Sequence, residues 1–200
     1  FEMRLMEAAS RKRNWIVNET VNALKSGQKV VIFTGRIRDC EAIHAALTKQ
    51  VLKAKLESPC WLGHGKVDAK ERGEMVVAYA DHKEPCVLVG TTDAFGEAID
   101  GLQHTDIAIF SLLPWTPGQV TQAEGRFSRH GQTRPVQILY VIAEGTVDEH
   151  VSDVLLDKLE AVGEAIGDDD ADAIARTLGG EGNDEAVINN ILSRFKKRDD

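Results

Sequence analysis

Lys29-Val-Val-Ile-Phe-Thr34 is a continuous apolar run opened by a lysine, closed by a threonine and followed directly by Gly35-Arg36. A short run of this kind, rich in β-branched residues and without polar alternation, reads as a strand buried on both faces, as in parallel sheets. Four further runs share its character: Cys60-Trp61-Leu62, Cys86 to Gly90, Ile107 to Leu112 and Val136 to Ile142. Helical patterns flank or separate most of them. One runs from about Arg4 to Lys25 and stops at Gly27. A second, from about Asp39 to Val51, carries Ile43, Leu47 and Val51 on one face. A third starts at the capping pair Asp68 and Glu71 and turns Met75, Val76 and Tyr79 inward. Parallel strands need crossover connections, so the pattern predicts a doubly wound α/β domain: a mostly parallel sheet with helices on both faces.

Such sheets hold ligands at the carboxyl ends of their strands. Behind the first four strands stand Thr34-Gly35-Arg36, Gly63-His64-Gly65, Gly90-Thr91-Thr92-Asp93 and Pro114-Trp115-Thr116-Pro117-Gly118. Glycine turns free backbone N–H groups to approach phosphate oxygens, and threonine hydroxyls donate to them. Each segment alone reads as an ordinary turn; four on one rim make a candidate anion-binding surface.

Downstream lies Gln122-Ala-Glu-Gly-Arg126-Phe-Ser-Arg129-His-Gly131-Gln-Thr-Arg134. Thr116 is a natural N-cap, Pro117 suits the first helical position, and Gln119 sits where a capping box places glutamine. In the helix that follows, Gln122, Arg126 and Arg129 share one face, and Gly131 is the C-cap. The face is either a solvated basic stripe or a pair of guanidiniums directed at an anion.

Composition limits the choices. The chain has 200 residues, 42% of them hydrophobic, enough for one domain with a substantial core. Its 24 basic residues against 32 acidic give a formal net charge of -8, which argues against a nucleic-acid reader working alone. Much of the acid lies at Asp168 to Asp170, Asp172 and Glu181 to Glu185, leaving Lys29, Arg36, Arg38, Lys53 and Lys66 as either a local basic rim or a scatter of solubilising charges. Cys40, Cys60 and Cys86 have neither metal-ligand spacing nor an even count, and read as reduced structural thiols. The six histidines are scattered, so no metal site is expected. No apolar run reaches the length of a membrane span and no signal-peptide pattern opens the chain; the expectation is a cytoplasmic, nucleoid or nuclear protein. The start at Phe1, without methionine, suggests a piece of something longer. Val147, Val151, Leu155, Leu159, Val162 and Ile166 form an apolar helical stripe started by Thr146 and Glu149. The expected division is an N-terminal helix over 1–28, the sheet domain over 29–145, a closing helix over 146–166, and an acidic linker with a C-terminal helix over 167–200.

Gln122-Ala-Glu-Gly-Arg126-x-x-Arg129 with Gly131-Gln-Thr closely resembles the last signature motif of helicase superfamily two, in the form used by its Swi/Snf-type DNA translocases and most like the annealing-helicase branch. Other segments resemble earlier motifs in the right order. These are Val30 to Gly35; Trp61-Leu-Gly-His-Gly65 with Arg72; Thr91 to Leu102; Trp115-Thr-Pro-Gly; and Glu144-Gly-Thr-Val-Asp-Glu149. The resemblance, from about Lys29 to about Leu159, implies the second RecA-like lobe of such an enzyme, with a C-terminal helical extension. It implies arginine-finger roles for Arg126 and Arg129, nucleotide contacts for Gln122 and Gly96, and DNA-phosphate contacts for Thr34, Gly35, Arg36, Gly65, Thr91 and Thr92. Asp100 is either a ribose contact or a structural loop aspartate; here the chain departs from the usual motif, with Ala98 in place of a glycine and an apparent extra residue at Gly101.

The sequence contains no Gly-x-x-x-x-Gly-Lys-Ser/Thr phosphate loop and no Asp-Glu pair after an apolar strand. The resemblance therefore implies half of a Mg-ATP site. The magnesium ligands and phosphate loop belong to an N-terminal RecA-like lobe of the same polypeptide, double-stranded DNA is the track, no membrane is involved, and the isolated chain is monomeric and inactive. The alternative is a stand-alone RecA-like module that binds nucleic acid or protein without catalysis. A small-molecule Rossmann enzyme is disfavoured, since no Gly-x-Gly-x-x-Gly follows the first strand.

Overall fold

In a computed structural model, the described residues are 2–95, 101–113, 135–143 and 148–155, with the single positions 116, 118, 119, 122, 125, 127, 146 and 158. The elements follow in the order α1 (Glu2–Lys25), β1 (Val30–Thr34), α2 (Ile37–Lys53), β2 (Cys60–Gly63), α3 (Ala69–Asp81), β3 (Val87–Thr91), β4 (Ile107–Phe110) and β5 (Gln137–Tyr140). All five expected strands form. They make one sheet in the order β2-β3-β1-β4-β5, with every neighbouring pair parallel. The Lys29–Thr34 run thus supplies the central strand, and β1, β3 and β4 are buried along their whole length.

Register divides the core into two halves. Val30, Val87 and Ile107 stand level with one another, as do Ile32, Val89 and Ile109. These six side chains pack with Ile16, Val17 and Leu24 of α1 and with Cys40, Ile43, Leu47 and Val51 of α2. Residues alternating with them point to the other face. There Phe33 and Phe110 lie 5.2 Å apart between ring centroids, Phe33 reaches Phe95 at 6.4 Å and Phe127 at 6.0 Å, and Tyr140 stacks on Phe110 at 5.0 Å. On that second face Trp61 of β2 meets Tyr79 of α3 edge-on at 6.3 Å. The sheet is therefore covered on both sides, as its apolar runs require.

Helix ends follow the local chemistry. Gly27, at φ +82°, closes α1 as a left-handed cap: Gln28 N donates to Ala23 O and Gly27 N to Leu24 O. Asp68 caps α3 by accepting from Lys70 N at 2.9 Å. Within α3, Val76 and Tyr79 are buried as expected, whereas Met75 is only half-buried. The α2 helix starts at Ile37, two residues ahead of the expected Asp39, because Arg36 in an extended conformation already accepts from Cys40 N.

Lys29 is enclosed. Its ammonium donates to the carbonyls of Tyr79 (2.6 Å), Ala80 (3.3 Å) and His82 (3.0 Å) at the end of α3, and it lies 4.6 Å from the centre of the Tyr79 ring. Its backbone N–H donates to Asp106 Oδ2 at 2.8 Å. Positive charge at a helix C-terminus is favourable. Burial lowers the Lys29 pKa, while the Cys86 thiol and the Asp106 carboxylate act in the opposite sense.

The chain falls into two compact units, residues 1–112 with 126–144, and residues 113–125 with 145–200. In the second, Thr116 Oγ1 accepts from Gln119 N at 3.4 Å, and Gly118, Gln119 and Gln122 are helical, in line with the expected helix start. Thr146 Oγ1 accepts from Asp148 N at 3.2 Å, and Val151 and Leu155 of the apolar stripe are buried. Val147, Leu159, Val162 and Ile166 lie outside the described residues.

Candidate functional site

Parallel strands in register bring their carboxyl ends to one edge, so β1, β2 and β3 deliver Thr34-Gly35-Arg36, Gly63-His64-Gly65-Lys66 and Thr91-Thr92-Asp93 to a common rim. Side chains and backbone then tie the turns together. Thr92 donates twice to the Thr34 carbonyl, from its N–H at 2.9 Å and its hydroxyl at 3.2 Å. The Thr34 hydroxyl is buried and points to the Arg36 carbonyl (3.2 Å) and the Gly90 carbonyl (3.5 Å). Thr91 is buried as well, and its carbonyl accepts from Ala94 and Phe95. Gly35, Arg36, Gly65 and Lys66 are exposed, and Thr92 is half-buried.

The β2 turn has its own frame. Val67 N donates to His64 O at 2.9 Å, Lys66 N donates to His64 Nδ1 at 3.3 Å, and Arg72 of α3 donates to the Val67 carbonyl. His64 is itself buried, with Nε2 3.6 Å from Glu41 Oε1 of α2. At the start of α2, Arg36 contributes no side-chain cap, so that residue leaves the first-turn N–H groups to other acceptors. With Arg36, Arg38 and Lys66 exposed nearby, the rim has the chemistry to meet phosphate oxygens, through glycine backbone, helix N-terminus and basic side chains.

Two sequence readings of this region need correction. Lys29 and Lys53 do not belong to a basic rim. Lys29 precedes β1 at the amino end of the strands and is spent on α3, and Lys53 closes α2 at that same end. Gly90 and Gly63 are not turns freed for phosphate: both are strand residues, and a Cβ on Gly90 would stand 2.1 Å from Phe95 Cε2, one on Gly63 2.3 Å from Phe95 Cζ. They are small because the fully buried Phe95 ring lies across them. Gly65 differs, since a Cβ there would meet nothing within 4 Å; the same holds for Gly73 in α3.

The sequence reading missed Phe95, His64 and Glu41 as framing residues. The spacing of Gly63, Gly90 and Phe95 gives no local signal, although two glycines in strands do hint at close packing. Gln122 is exposed on the helix begun at Thr116. Arg126, Arg129, Gly96 and Asp100 lie outside the described residues. Among the described residues, no three His, Cys, Asp or Glu side chains gather around a point that could hold a metal ion, and no helix is long and apolar enough to cross a membrane. The three cysteines are unpaired thiols whose pKa values burial pushes up to about 11.

Comparison with known proteins meets this geometry. Residues 11–131 match the helicase conserved C-terminal domain family. A SWI/SNF-related, matrix-associated, actin-dependent regulator of chromatin subfamily A-like protein 1 of Xenopus laevis is 27% identical over 168 residues, covering 82% of this chain and 16% of that protein. An uncharacterized ATP-dependent helicase of Mycoplasma genitalium is 27% identical over 158 residues, covering 79% and 15%. A DNA annealing helicase and endonuclease of Bos taurus is 32% identical over 102 residues, covering 51% and 9%. The chain thus spans about a sixth or less of the length of these relatives. The fold recurs in the C-terminal part of the Fun30 ATPase domain, with a TM-score of 0.55 and 20% identity over 64% of this chain and 39% of that one. It recurs also in Mss116p DEAD-box helicase domain 2 bound to an RNA duplex, with a TM-score of 0.55 and 15% identity over 79% and 70%. With a five-stranded, all-parallel sheet and a family match over more than half its length, the chain belongs to the helicase conserved C-terminal domain family.

Proposed function

We propose that this chain is the second RecA-like lobe of an ATP-dependent DNA translocase or annealing-type helicase, completed by an N-terminal RecA-like lobe of the same polypeptide. The family match over residues 11–131, which takes in both the strand-end rim and the arginine segment, carries the reading. Relatives named as an ATP-dependent helicase and a DNA annealing helicase support ATP as cofactor and DNA as track.

This chain's residues fit one half of a Mg-ATP site. The motif assigns Gln122, Arg126 and Arg129 to the nucleotide, with Gly96 and Asp100 as further contacts; the helix expected to carry all three does not run on unbroken, since Gly125 and Phe127 are turn residues. The sequence holds no phosphate-loop lysine, so phosphate cradle and magnesium ligands are assigned to the other lobe. ATP hydrolysis supplies the free energy for stepping. Arg126 and Arg129 would meet charge that develops on the transferred phosphoryl group, a role typically worth about 10³ to 10⁵ in rate. On the DNA side, Gly35, Arg36, Gly65 and Thr92 face the phosphates, while buried Thr34 and Thr91 shape the turns that present them.

The test is phosphate release with and without duplex DNA. In the complete protein, Arg126→Ala or Arg129→Ala should lower turnover by at least about 10²-fold with nucleotide binding much less affected, because the charge they meet belongs to the transition state. Arg134→Ala should matter less, and this chain alone should release no phosphate above background. Equal tolerance of alanine at all three arginines would overturn the finger assignment.

A further inference from the structure

The β2 turn holds a buried histidine whose neutral tautomer the hydrogen bonds select. Lys66 N–H donates to His64 Nδ1 at 3.3 Å, so Nδ1 has no proton and the neutral ring carries it on Nε2. That nitrogen lies 3.6 Å from Glu41 Oε1, longer than a hydrogen bond but close enough for the carboxylate on α2 to attract an N–H there and so favour this tautomer. His64 is 7% exposed, while Gly65 and Lys66 directly after it are exposed. The His64 carbonyl accepts from Val67 N at 2.9 Å. Ring and carbonyl of one residue therefore hold two successive amides, those of Lys66 and Val67, just past the turn's outer corner. At that corner Gly65 has open space where a Cβ would stand and no positive φ, so the fold itself does not require glycine there.

We propose that His64, oriented by Glu41, is the positioning residue of the β2 turn: by tying down the Lys66 and Val67 amides it leaves the Gly65 N–H, with the Lys66 side chain, to meet a DNA phosphate. This rests on the DNA reading of the rim given above. The role is a relay from α2 through an imidazole to backbone, and it needs an acceptor at the Nδ1 position. A bulky buried ring that merely filled space would not.

The two nitrogens can be separated by substitution. Asparagine places an acceptor near the Nδ1 position, and glutamine places a donor near the Nε2 position. In the complete protein, duplex-DNA affinity at low salt should fall about 3- to 10-fold for His64→Ala and His64→Gln, the scale of one lost hydrogen bond, and stay within about 2-fold of the parent for His64→Asn. Melting temperatures of the Asn and Gln variants identify any loss due to unfolding. Nitrogen-15 NMR of the histidine ring should show His64 as the Nε2–H tautomer, shifting toward a tautomeric mixture in Glu41→Ala. An Nδ1–H tautomer overturns the proposal whatever DNA does, and so does a DNA affinity kept by Gln and lost by Asn. If Arg36→Ala and Lys66→Ala bind DNA as well as the parent, the DNA reading fails, and the presenting role falls with it while the tautomer remains as drawn.

Discussion

Replacing Gly90 by alanine would place a methyl carbon 2.1 Å from Phe95 Cε2, 2.3 Å from Cδ2 and 3.1 Å from the Gly63 carbonyl oxygen. Ordinary van der Waals contact requires the ring to withdraw by roughly one and a half ångströms. The ring has nowhere to go: Phe95 is fully buried and packed beside Phe33, whose own ring is held by Phe110 and Phe127. Overpacking in a well-filled core costs about 1–3 kcal/mol. For a chain of this size that corresponds to a fall of about 2–12 °C in melting temperature. Gly65→Ala is the control, since its methyl meets nothing and should move stability by no more than about 0.5 kcal/mol. Urea and thermal unfolding of both variants, followed by circular dichroism, measure the contrast. Phe95→Leu relieves the clash, so the Gly90→Ala, Phe95→Leu double variant should be less destabilised than the sum of its singles, by about 0.5–3 kcal/mol. Additivity, or equal effects of alanine at positions 90 and 65, would refute the idea that Phe95 dictates the glycines.

Lys29→Met should cost about 1–3 kcal/mol in urea unfolding, because the carbonyls of Tyr79, Ala80 and His82 lose their donor, while Lys25→Met on the surface should be near neutral. Thiols give a pH signature: folded pKa values of about 11 lie above the ordinary 9.0, so the unfolded chain loses these protons first. Their contribution to stability is complete below about pH 9 and is lost as pH rises through about 11. A variant with Cys40, Cys60 and Cys86 all changed to alanine should show a shallower alkaline decline than the parent, and an unchanged slope would refute the assignment. On the DNA side, three exposed rim cations, Arg36, Arg38 and Lys66, imply a roughly 40-fold loss of affinity between 50 and 200 mM salt, with little dependence on sequence. Arg36→Ala should reduce the logarithmic salt slope by about one, and titrations on two unrelated duplexes at several salt concentrations check both points.

Much of the fold was legible because its signals are local. Strand runs such as Lys29–Thr34 and Ile107–Leu112 show their burial by lacking alternation, and the stripe of Ile43, Leu47 and Val51 shows the buried face of α2. Strand polarity then put Thr34, Gly63 and Thr91 at one edge. The misses were non-local. Nothing near Gly90 announces that Phe95 folds back over it, and nothing near Lys29 announces three carbonyls some fifty residues away. Polarity alone would have kept Lys29 off the rim, since a residue before a strand stands at the opposite end from one after it. Likewise, the meeting of His64 with Glu41 joins a turn to a helix 23 positions earlier. The arginine segment was read from a motif, and its weight in the function therefore rests on the family match and not on a measured position.

One carbonyl at the rim takes both donors of Thr92. No rotatable side chain intervenes between the Thr34 carbonyl and the Thr92 amide, so tension arriving at either turn reaches the partner strand without slack. Behind Thr34 lies β1, bonded to β3 on one side and β4 on the other. A pull along the strand axis is shared by both ladders at once, and each bond is loaded in shear with its neighbours instead of being opened singly. The rim turns are in this sense handles on the centre of the sheet, so that on the proposed DNA reading a load from a phosphate backbone would enter at the strand with two bonded neighbours.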